Sequence, residues 1–216
     1  MTNTLYVLAN CPYCWRVWVV AEAAGAKLES KFLTYDEIRG EEYKKINPNQ
    51  VVPALQTKDG ILYESNAILR YLARENPSAG LYGADPYQEA LVDQWLDWGK
   101  SELGAFIGTF VGPVIGKFAF DKDAHKVAME NIVKKFKLLE EHFKTNKYFI
   151  GEQITIADFA LGTLLRLPFS FNFEEGFRKN YPNLLRWFEE VNKHPAVLKC
   201  LGRVRYCVKA FPTKKN

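Results

Sequence analysis

The chain has 216 residues, of which 48% are hydrophobic and 14% aromatic, and its formal net charge is +4 at pH 7. This composition is typical of a folded soluble protein with one large domain or two small ones. Basic and acidic residues alternate almost throughout, and the basic C-terminal end is typical of a solvated terminus, so no direct contact with nucleic acid is expected. That end contains Arg203, Arg205, Lys209, Lys214 and Lys215. The longest uncharged apolar stretch, residues 103–116, is too short to span a bilayer, so no membrane association is expected.

Two cysteines, Cys11 and Cys14, flank a Pro-Tyr pair between an apolar run and an amphipathic one. The apolar run predicts a buried strand over residues 4–8, and the amphipathic run predicts a helix over residues 12–24. At a helix N-terminus, backbone N–H groups and the helix dipole stabilise a thiolate, and Arg16 is a second source of positive charge. Cys11 is therefore predicted to be a reactive thiol. Cys14 lies one turn further in, where it either assists Cys11 or packs in the core.

The two remaining cysteines and the histidines indicate neither a second reactive thiol nor a metal site. Free cysteines are often small buried hydrophobes, and we expect this of Cys200 and Cys207. A zinc site needs more ligands, but the three histidines lie in other segments and there is no second Cys-x-x-Cys pair, so no metal site is predicted. Four cysteines without an apolar signal segment at the N-terminus indicate a reducing compartment. We therefore expect a cytoplasmic protein without structural disulfides.

The first 75 residues alternate between strand and helix patterns. A second strand is predicted over residues 27–33, followed by a charged helical stretch over 41–46. A hairpin with the turn Lys58-Asp59-Gly60 joins strands over 51–57 and 61–64. A helix with one apolar face is predicted over 65–74. This order predicts a small α/β domain, residues 1–75, with a mixed four-stranded sheet.

The remainder of the chain is predicted to be helical. Residues 76–86 contain two prolines and two glycines in a polar setting, so they are predicted to be a linker. The second domain, 87–216, is predicted to be all-helical. Its helices are expected over residues 88–103 and 122–144, from Thr155, and over 184–191. Thr155 with Asp158 three residues later has the pattern of a capping box.

Three features of the α/β domain are predicted to meet at one edge of its sheet. Cys11 follows the first strand, where open α/β sheets usually bind ligands. Val52 precedes Pro53 at a strand entrance, where its N–H and C=O can pair with an extended peptide. Ser65 as N-cap and the N–H groups behind it would bind a carboxylate, and Glu64 would pair with an ammonium group. Each residue also has a structural role open to it, as an ordinary cap, a solvated charge or a turn, but together they describe a site for a small thiol peptide.

The chain also resembles the glutathione transferase superfamily over essentially its whole length. The motifs that carry the resemblance are Val51-Val52-Pro53-Ala54-Leu55, Glu64-Ser65-Asn66-Ala67-Ile68 with Tyr71-Leu72, and Ile154-Thr155-Ile156-Ala157-Asp158. The resemblance implies an α/β plus all-α fold, in which a thioredoxin-like N-terminal domain is followed by an all-helical C-terminal domain. It also implies glutathione as ligand and a homodimer.

Residue by residue, the resemblance gives Cys11 the position of the activating residue. Val52 takes the backbone contact to the cysteinyl part of glutathione, and Pro53 takes the position of the cis-proline. Glu64 and Ser65 take the contacts to the γ-glutamyl group. Many family members have Tyr or Ser instead of Cys11, and the cysteine resembles the omega-like and glutaredoxin-like branches, which favour thiol exchange.

The resemblance leaves three features open. This chain has Val51 where the family often has a lysine, so the contact to the glycine carboxylate falls to Gln50, Lys44 or Lys45. Cys14 would resolve a mixed disulfide in a thiol-exchange mechanism. The second substrate, an electrophile or a disulfide, would bind between the domains. The aromatic residues expected there, which also fit a core position, are Trp98, Phe106 and Phe110.

A second resemblance implies another class of function. Several segments resemble the transferase-like domain of the gamma subunit of translation elongation factor 1B: Gln94-Trp95, Gly112-Pro113, Phe120-Asp121-Lys122, and residues 177–188 and 210–215. In that family the domain is mainly a scaffold that holds the nucleotide-exchange subunit. The sequence thus predicts a glutathione-dependent transferase or thiol-exchange enzyme, with such a scaffold domain as the alternative.

Overall fold

A mixed four-stranded sheet forms the centre of the N-terminal part of the computed structural model, which describes residues 3–211. Its strands are β1 (Asn3–Val7), β2 (Leu28–Phe32), β3 (Ala54–Gln56) and β4 (Ile61–Tyr63). The strand order is β2-β1-β3-β4, with β1 parallel to β2 and antiparallel to β3. The predicted mixed sheet is confirmed.

Helices cover both faces of this sheet. They are α1 (Pro12–Ala23), α2 (Tyr35–Arg39), α3 (Glu41–Lys44) and α4 (Ser65–Glu75). Successive side chains of a strand point to opposite faces. Accordingly, Leu5 and Val7 of β1 join the core beneath α1 and α4, whereas Tyr6 packs with Ile38 and Tyr43 of the α2–α3 side.

This part of the chain differs from the prediction of one helical stretch over residues 41–46, because a further helix, α2, precedes it. The structure has two short helices, because Gly40 has an extended backbone and separates them. Thr34 and Glu37 form a capping box at the start of α2: the Thr34 N–H donates to Glu37 Oε2 at 2.7 Å, and the Glu37 N–H donates to Thr34 Oγ1 at 3.2 Å. This pattern of Thr and Glu three residues apart was present in the sequence.

The C-terminal part is helical, as predicted. It contains α5 (Pro86–Trp98), α6 (Gly104–Val114), α7 (Lys122–Thr145), α8 (Ile156–Phe171), α9 (Glu175–Arg178), α10 (Pro182–Lys193) and α11 (Pro195–Leu201). The helix predicted over residues 88–103 is not continuous, because a π-helical segment, Gly99–Leu103, joins α5 to α6. A short 3-10 helix, Pro77–Ala79, lies between α4 and α5. No helix in residues 3–211 combines the length and apolar character needed to cross a membrane.

The central helix α8 is buried along most of its length, and its capping box is confirmed. The Thr155 N–H donates to Asp158 Oδ2 at 2.8 Å, and the Thr155 hydroxyl donates to the same oxygen. The other carboxylate oxygen accepts from the Phe149 N–H and from Trp187 Nε1. Burial raises the pKa of the Asp158 carboxyl, and these four donors oppose that change.

The two parts of the chain share a continuous apolar core. Helices α1 and α4 pack against α8, and α1 also packs against α11. The end of the described chain folds back on α8, where the Cys207 N–H donates to the Phe169 carbonyl at 2.9 Å. Lys214, Lys215 and most of the 210–215 segment lie outside the described residues. The domain limits at 75 and 86 remain a prediction.

Candidate thiol site

Cys11 lies between the end of β1 and the first turn of α1. It is the N-cap residue of α1, with an extended backbone, and Pro12 is the first helical residue. The Cys11 carbonyl accepts from the N–H groups of Cys14 and Trp15 at 2.9 and 3.0 Å. Its side chain is half-buried, so the thiol lies at a helix N-terminus at the edge of the sheet, where the sequence predicted it.

The two thiols of the motif ionise very differently. The pKa of Cys11 is lowered from 9.0 to about 7, mainly by a hydrogen bond from the Cys14 thiol, while burial opposes the change. The N–H groups of Cys14 and Tyr13 and the charge of Arg16 lower this pKa further. The same thiol–thiol hydrogen bond, burial and the charge of Cys11 raise the pKa of Cys14. Cys11 is thus the thiol of the pair that ionises near neutral pH, and Cys14 stays protonated there.

Cys14 is fully buried, with no solvent exposure, in the apolar core beneath α1. All four cysteines are free thiols. Of the two near the end of the chain, Cys207 is buried and Cys200 is half-buried, with its thiol 3.7 Å from the Trp18 carbonyl. The backbone N–H of Cys14 donates to the Cys11 carbonyl, and the role of Cys14 in resolving a mixed disulfide remains a prediction.

The loop before β3 presents an unpaired backbone edge. The Val52–Pro53 peptide bond is cis. Two donors hold the carbonyl of Val51: the Tyr43 hydroxyl at 2.9 Å and Asn47 Nδ2 at 2.7 Å. Among the described residues, neither the N–H nor the C=O of Val52 has a hydrogen-bond partner. An extended peptide can therefore pair with both groups, as the sequence predicted.

Gln50 has a left-handed backbone with φ of 50°. Its side-chain amide donates to the carbonyls of Ile38 and Arg39, at 3.3 and 2.6 Å, and so ties the loop to the end of α2. Lys44 and Lys45 form ion pairs with acidic residues of α3. A contact from Gln50 to a ligand carboxylate therefore requires its amide to leave these carbonyls, and the contact remains a prediction.

Glu64 and Ser65 lie where β4 turns into α4. Ser65 was predicted to be the N-cap of α4, and this was wrong: Glu64 is the N-cap, and Ser65 is the first helical residue. The reason is that the backbone of Glu64 is left-handed, with φ of 69°, so the chain enters the helix immediately after it. The Glu64 carboxylate accepts from Lys100 Nζ at 2.8 Å. A lysine of the π-helical segment thus occupies the place predicted for the ammonium group of a ligand, and the contact of Glu64 to a ligand remains a prediction.

Lys100 could not be predicted as a neighbour of Glu64, because the two residues are 36 positions apart in the sequence and no local pattern connects them. The π-helical segment also places Gly104 next to the motif, since a Cβ at Gly104 would lie 3.3 Å from the Tyr13 hydroxyl. Of the aromatic residues predicted to face a second substrate, Phe110 is buried in the core. Trp98 and Phe106 are half-buried beside the core.

Two further observations concern the described residues as a whole: a surface concavity and the arrangement of possible metal ligands. A surface concavity of about 750 Å³ runs along α7 and contains none of the predicted site residues. Within residues 3–211, no three side chains of the His, Cys, Asp or Glu type cluster so as to hold a metal ion.

Two family models match the chain. The one described as "Glutathione S-transferase, N-terminal domain" matches residues 10–75, and the one described as "Glutathione S-transferase, C-terminal domain" matches residues 105–195. The chain is 33% identical to elongation factor 1-gamma of Artemia salina over 100% of its own length and 50% of that protein. It spans about half the length of the curated relatives it matches.

Solved structures show the same fold. A glutathione transferase of Phanerochaete chrysosporium in complex with oxidized glutathione is 26% identical, with a TM-score of 0.84 over 92% of this chain and 94% of that chain. A serine-to-cysteine mutant of a poplar glutathione transferase has a TM-score of 0.86 over 93% of this chain and 97% of that chain. That mutant is 22% identical and shows the fold alone. These findings confirm the predicted fold and both resemblances.

Proposed function

Because the chain belongs to the glutathione S-transferase superfamily, we propose that it binds glutathione and uses Cys11 as the nucleophile of a thiol-exchange reaction. The observation that carries this proposal is the half-buried Cys11 thiol at the start of α1, with a pKa lowered to about 7. A thiolate that forms near neutral pH attacks disulfides and is also a good leaving group. Tyr and Ser hydroxyls at this position would only donate a hydrogen bond to the sulfur of a ligand.

The residues around Cys11 would hold the ligand in an extended conformation. The free N–H and C=O of Val52 pair with the cysteinyl part of glutathione. The carboxylate of Glu64 pairs with the ammonium of the γ-glutamyl group, and this requires displacement of Lys100. The N–H groups of the first turn of α4, beginning at Ser65, point toward a carboxylate. Gln50, Lys44 or Lys45 would bind the glycine carboxylate of glutathione.

The proposed reaction has two exchange steps. In the first step, the Cys11 thiolate attacks the glutathione sulfur of a mixed disulfide substrate. A bond forms between the two sulfurs while the substrate S–S bond breaks, and the released thiolate takes a proton from solvent. In the second step, Cys11 leaves as a thiolate when a second glutathione thiolate attacks the same glutathione sulfur. The substrate thiol is released and one free glutathione is consumed, because its sulfur joins the glutathionyl group of the substrate in glutathione disulfide.

Disulfide-reductase and conjugation rates of the wild type, Cys11→Ser and Cys14→Ser test this proposal. We expect Cys11→Ser to lose disulfide-reductase activity, because a serine hydroxyl does not form a disulfide. Cys14→Ser should keep activity, because a serine hydroxyl at this position still donates a hydrogen bond to the Cys11 thiolate. Equal rates in the wild type and Cys11→Ser would exclude Cys11 as the nucleophile.

A second proposed function is a scaffold domain in the translation elongation factor complex. It is supported by the 33% identity to elongation factor 1-gamma over the full length of this chain. Its partner would be the nucleotide-exchange subunit of that complex. A pull-down at low salt tests it, and failure to recover purified exchange subunit would contradict it. The two functions are compatible, because the thiol site occupies only the edge of the sheet and the facing π-helical segment.

The assembly and the location of the protein belong to this proposal as well. We propose a cytoplasmic homodimer, supported by membership of the superfamily and by the four free thiols. Size-exclusion chromatography with light scattering measures the mass in solution. A single peak at the monomer mass across micromolar concentrations would contradict the homodimer.

A further inference from the structure

Arg16 is a buried arginine without an acidic partner. It lies in the second turn of α1 and is 3% exposed. Its Nη1 donates to Asn66 Oδ1 at 3.2 Å, whereas its Nε is buried and has no hydrogen-bond partner among the described residues. No aspartate or glutamate in residues 3–211 forms an ion pair with it or acts on its charge. Buried charges in proteins are nearly always paired, so this arginine lacks an expected partner.

A second buried arginine lies outside the site, and its guanidinium donates hydrogen bonds to several neutral oxygens. Arg166 of α8 is 7% exposed and also lacks an acid. Its Nη1 donates to Asn192 Oδ1, and its Nη2 donates to the carbonyls of Leu201 and Gly202. Neutral oxygens therefore surround Arg166, whereas Arg16 has a single such contact. The difference indicates that another group compensates the charge of Arg16.

The position of the Arg16 guanidinium directs attention to the groups of the first turn of α1. Side chains on a helix tilt toward its N-terminus, so the guanidinium covers the first turn of α1. It lies 4.7 Å from the centre of the Tyr13 ring, one turn earlier. The charges that act favourably on it are those of Tyr13, Cys11 and Cys14. Of these, Cys11 is the group that ionises near neutral pH.

We infer that the buried Arg16 guanidinium is the counter-ion of the Cys11 thiolate and acts as a positioning residue for it. This inference deepens the proposed function, because it concerns the thiol used there. Alkylation or disulfide formation at Cys11 removes the negative charge and leaves Arg16 buried and unpaired, which is costly. Reduction of the mixed disulfide at Cys11 restores the negative charge beside Arg16 and is therefore favoured. The contact to Asn66, whose Nδ2 donates to the Leu96 carbonyl, links this charge to α4 and α5.

The pH profile of Cys11 alkylation by iodoacetamide tests the inference on Arg16→Gln and Arg16→Lys, with Arg166→Gln as the matched control. A cation near a thiol lowers its pKa by about one unit or more. Arg16→Gln should therefore raise the alkylation midpoint by up to about one pH unit and slow alkylation at pH 6 by up to about tenfold. Arg16→Lys should restore part of the shift. Arg166→Gln should lower the melting temperature without moving the midpoint, and a wild-type midpoint in Arg16→Gln would overturn the inference.

The other titratable groups that act on these residues are the hydroxyls of Tyr13 and Tyr43, and iodoacetamide labelling follows the thiols alone. If Arg16→Gln does not fold, the Cys11→Ala variant keeps the inference testable. With Arg16 intact, Cys11→Ala should lower the melting temperature more at pH 8.5 than at pH 6, and an equal effect would overturn the inference. Neither assay needs glutathione. Loss of glutathione binding alone would therefore refute the proposed function and leave this inference standing.

Discussion

The stability of the protein should depend on the ionisation of Cys11, and the Cys11→Ser variant isolates that dependence. The pKa of Cys11 falls from 9.0 in an unstructured chain to about 7 in the folded protein. A group with a depressed folded pKa stabilises the protein fully above its unfolded pKa, and this contribution is lost as the pH falls through the folded pKa. The relevant window therefore runs from about pH 9 down to pH 7.

The size of the effect follows from the same pKa change. A tenfold change in acidity corresponds to about 1.4 kcal/mol, so the upper bound is about 3 kcal/mol. Partial solvent exposure of the thiol reduces this value, and we expect about 2 kcal/mol. Cys14 has the opposite effect above its ordinary pKa, because it resists ionisation in the folded protein. The comparison is therefore restricted to pH 9 and below.

Urea unfolding under reducing conditions, at half-unit steps from pH 6 to 9, measures this contribution. The free energy of unfolding of the wild type minus that of Cys11→Ser should increase by about 2 kcal/mol across the window. Cys200→Ser is a matched control, because burial raises the pKa of the Cys200 thiol. Its difference from the wild type should not increase with pH. A difference for Cys11→Ser that is constant from pH 6 to 9 would show that folding does not lower the Cys11 pKa.

Three further predictions concern other parts of the structure. Lys100→Ala should tighten glutathione binding by up to about fivefold in calorimetry, because an exposed ion pair of up to about 1 kcal/mol no longer competes at Glu64; weaker binding would show that Lys100 holds the ligand. Asp158→Ala should lower the free energy of unfolding in urea by about 3 kcal/mol or more, since buried donors lose their acceptor; a loss below about 1 kcal/mol would contradict this. Gly112→Ala should displace the Phe118 ring, because a Cβ there would lie 2.1 Å from it, and an unchanged crystal position of that ring would contradict this prediction.

Features that depend on neighbouring residues could be predicted from the sequence. The strand before Cys11, the helix that begins at Pro12 and the capping box of Thr155 and Asp158 all follow from local patterns. The capping box of α2 is of the same kind, and Thr34 and Glu37 indicate it locally. The charged stretch after residue 40 is a longer helical pattern than residues 35–39, so the sequence predicts a helix there and not the shorter one that begins after Thr34.

Features that depend on a single backbone angle or on distant residues could not be predicted. A serine before an apolar helix is usually its cap, but the left-handed backbone at Glu64 moves the cap by one residue. The π-helical segment joins α5 to α6, and helical periodicity does not indicate it. The contacts between Lys100 and Glu64 and between Arg16 and Asn66 join segments 36 and 50 residues apart.

Mass spectrometry of the reduced protein after incubation with oxidised glutathione tests whether Cys11 is the nucleophile. We expect one mixed disulfide with glutathione, located at Cys11 by peptide mapping. The adduct should form in Cys14→Ser and be absent in Cys11→Ser. It should form faster as the pH rises through about 7, because the thiolate is the nucleophile. An adduct at another cysteine, or no adduct above pH 8, would show that Cys11 is not the nucleophile.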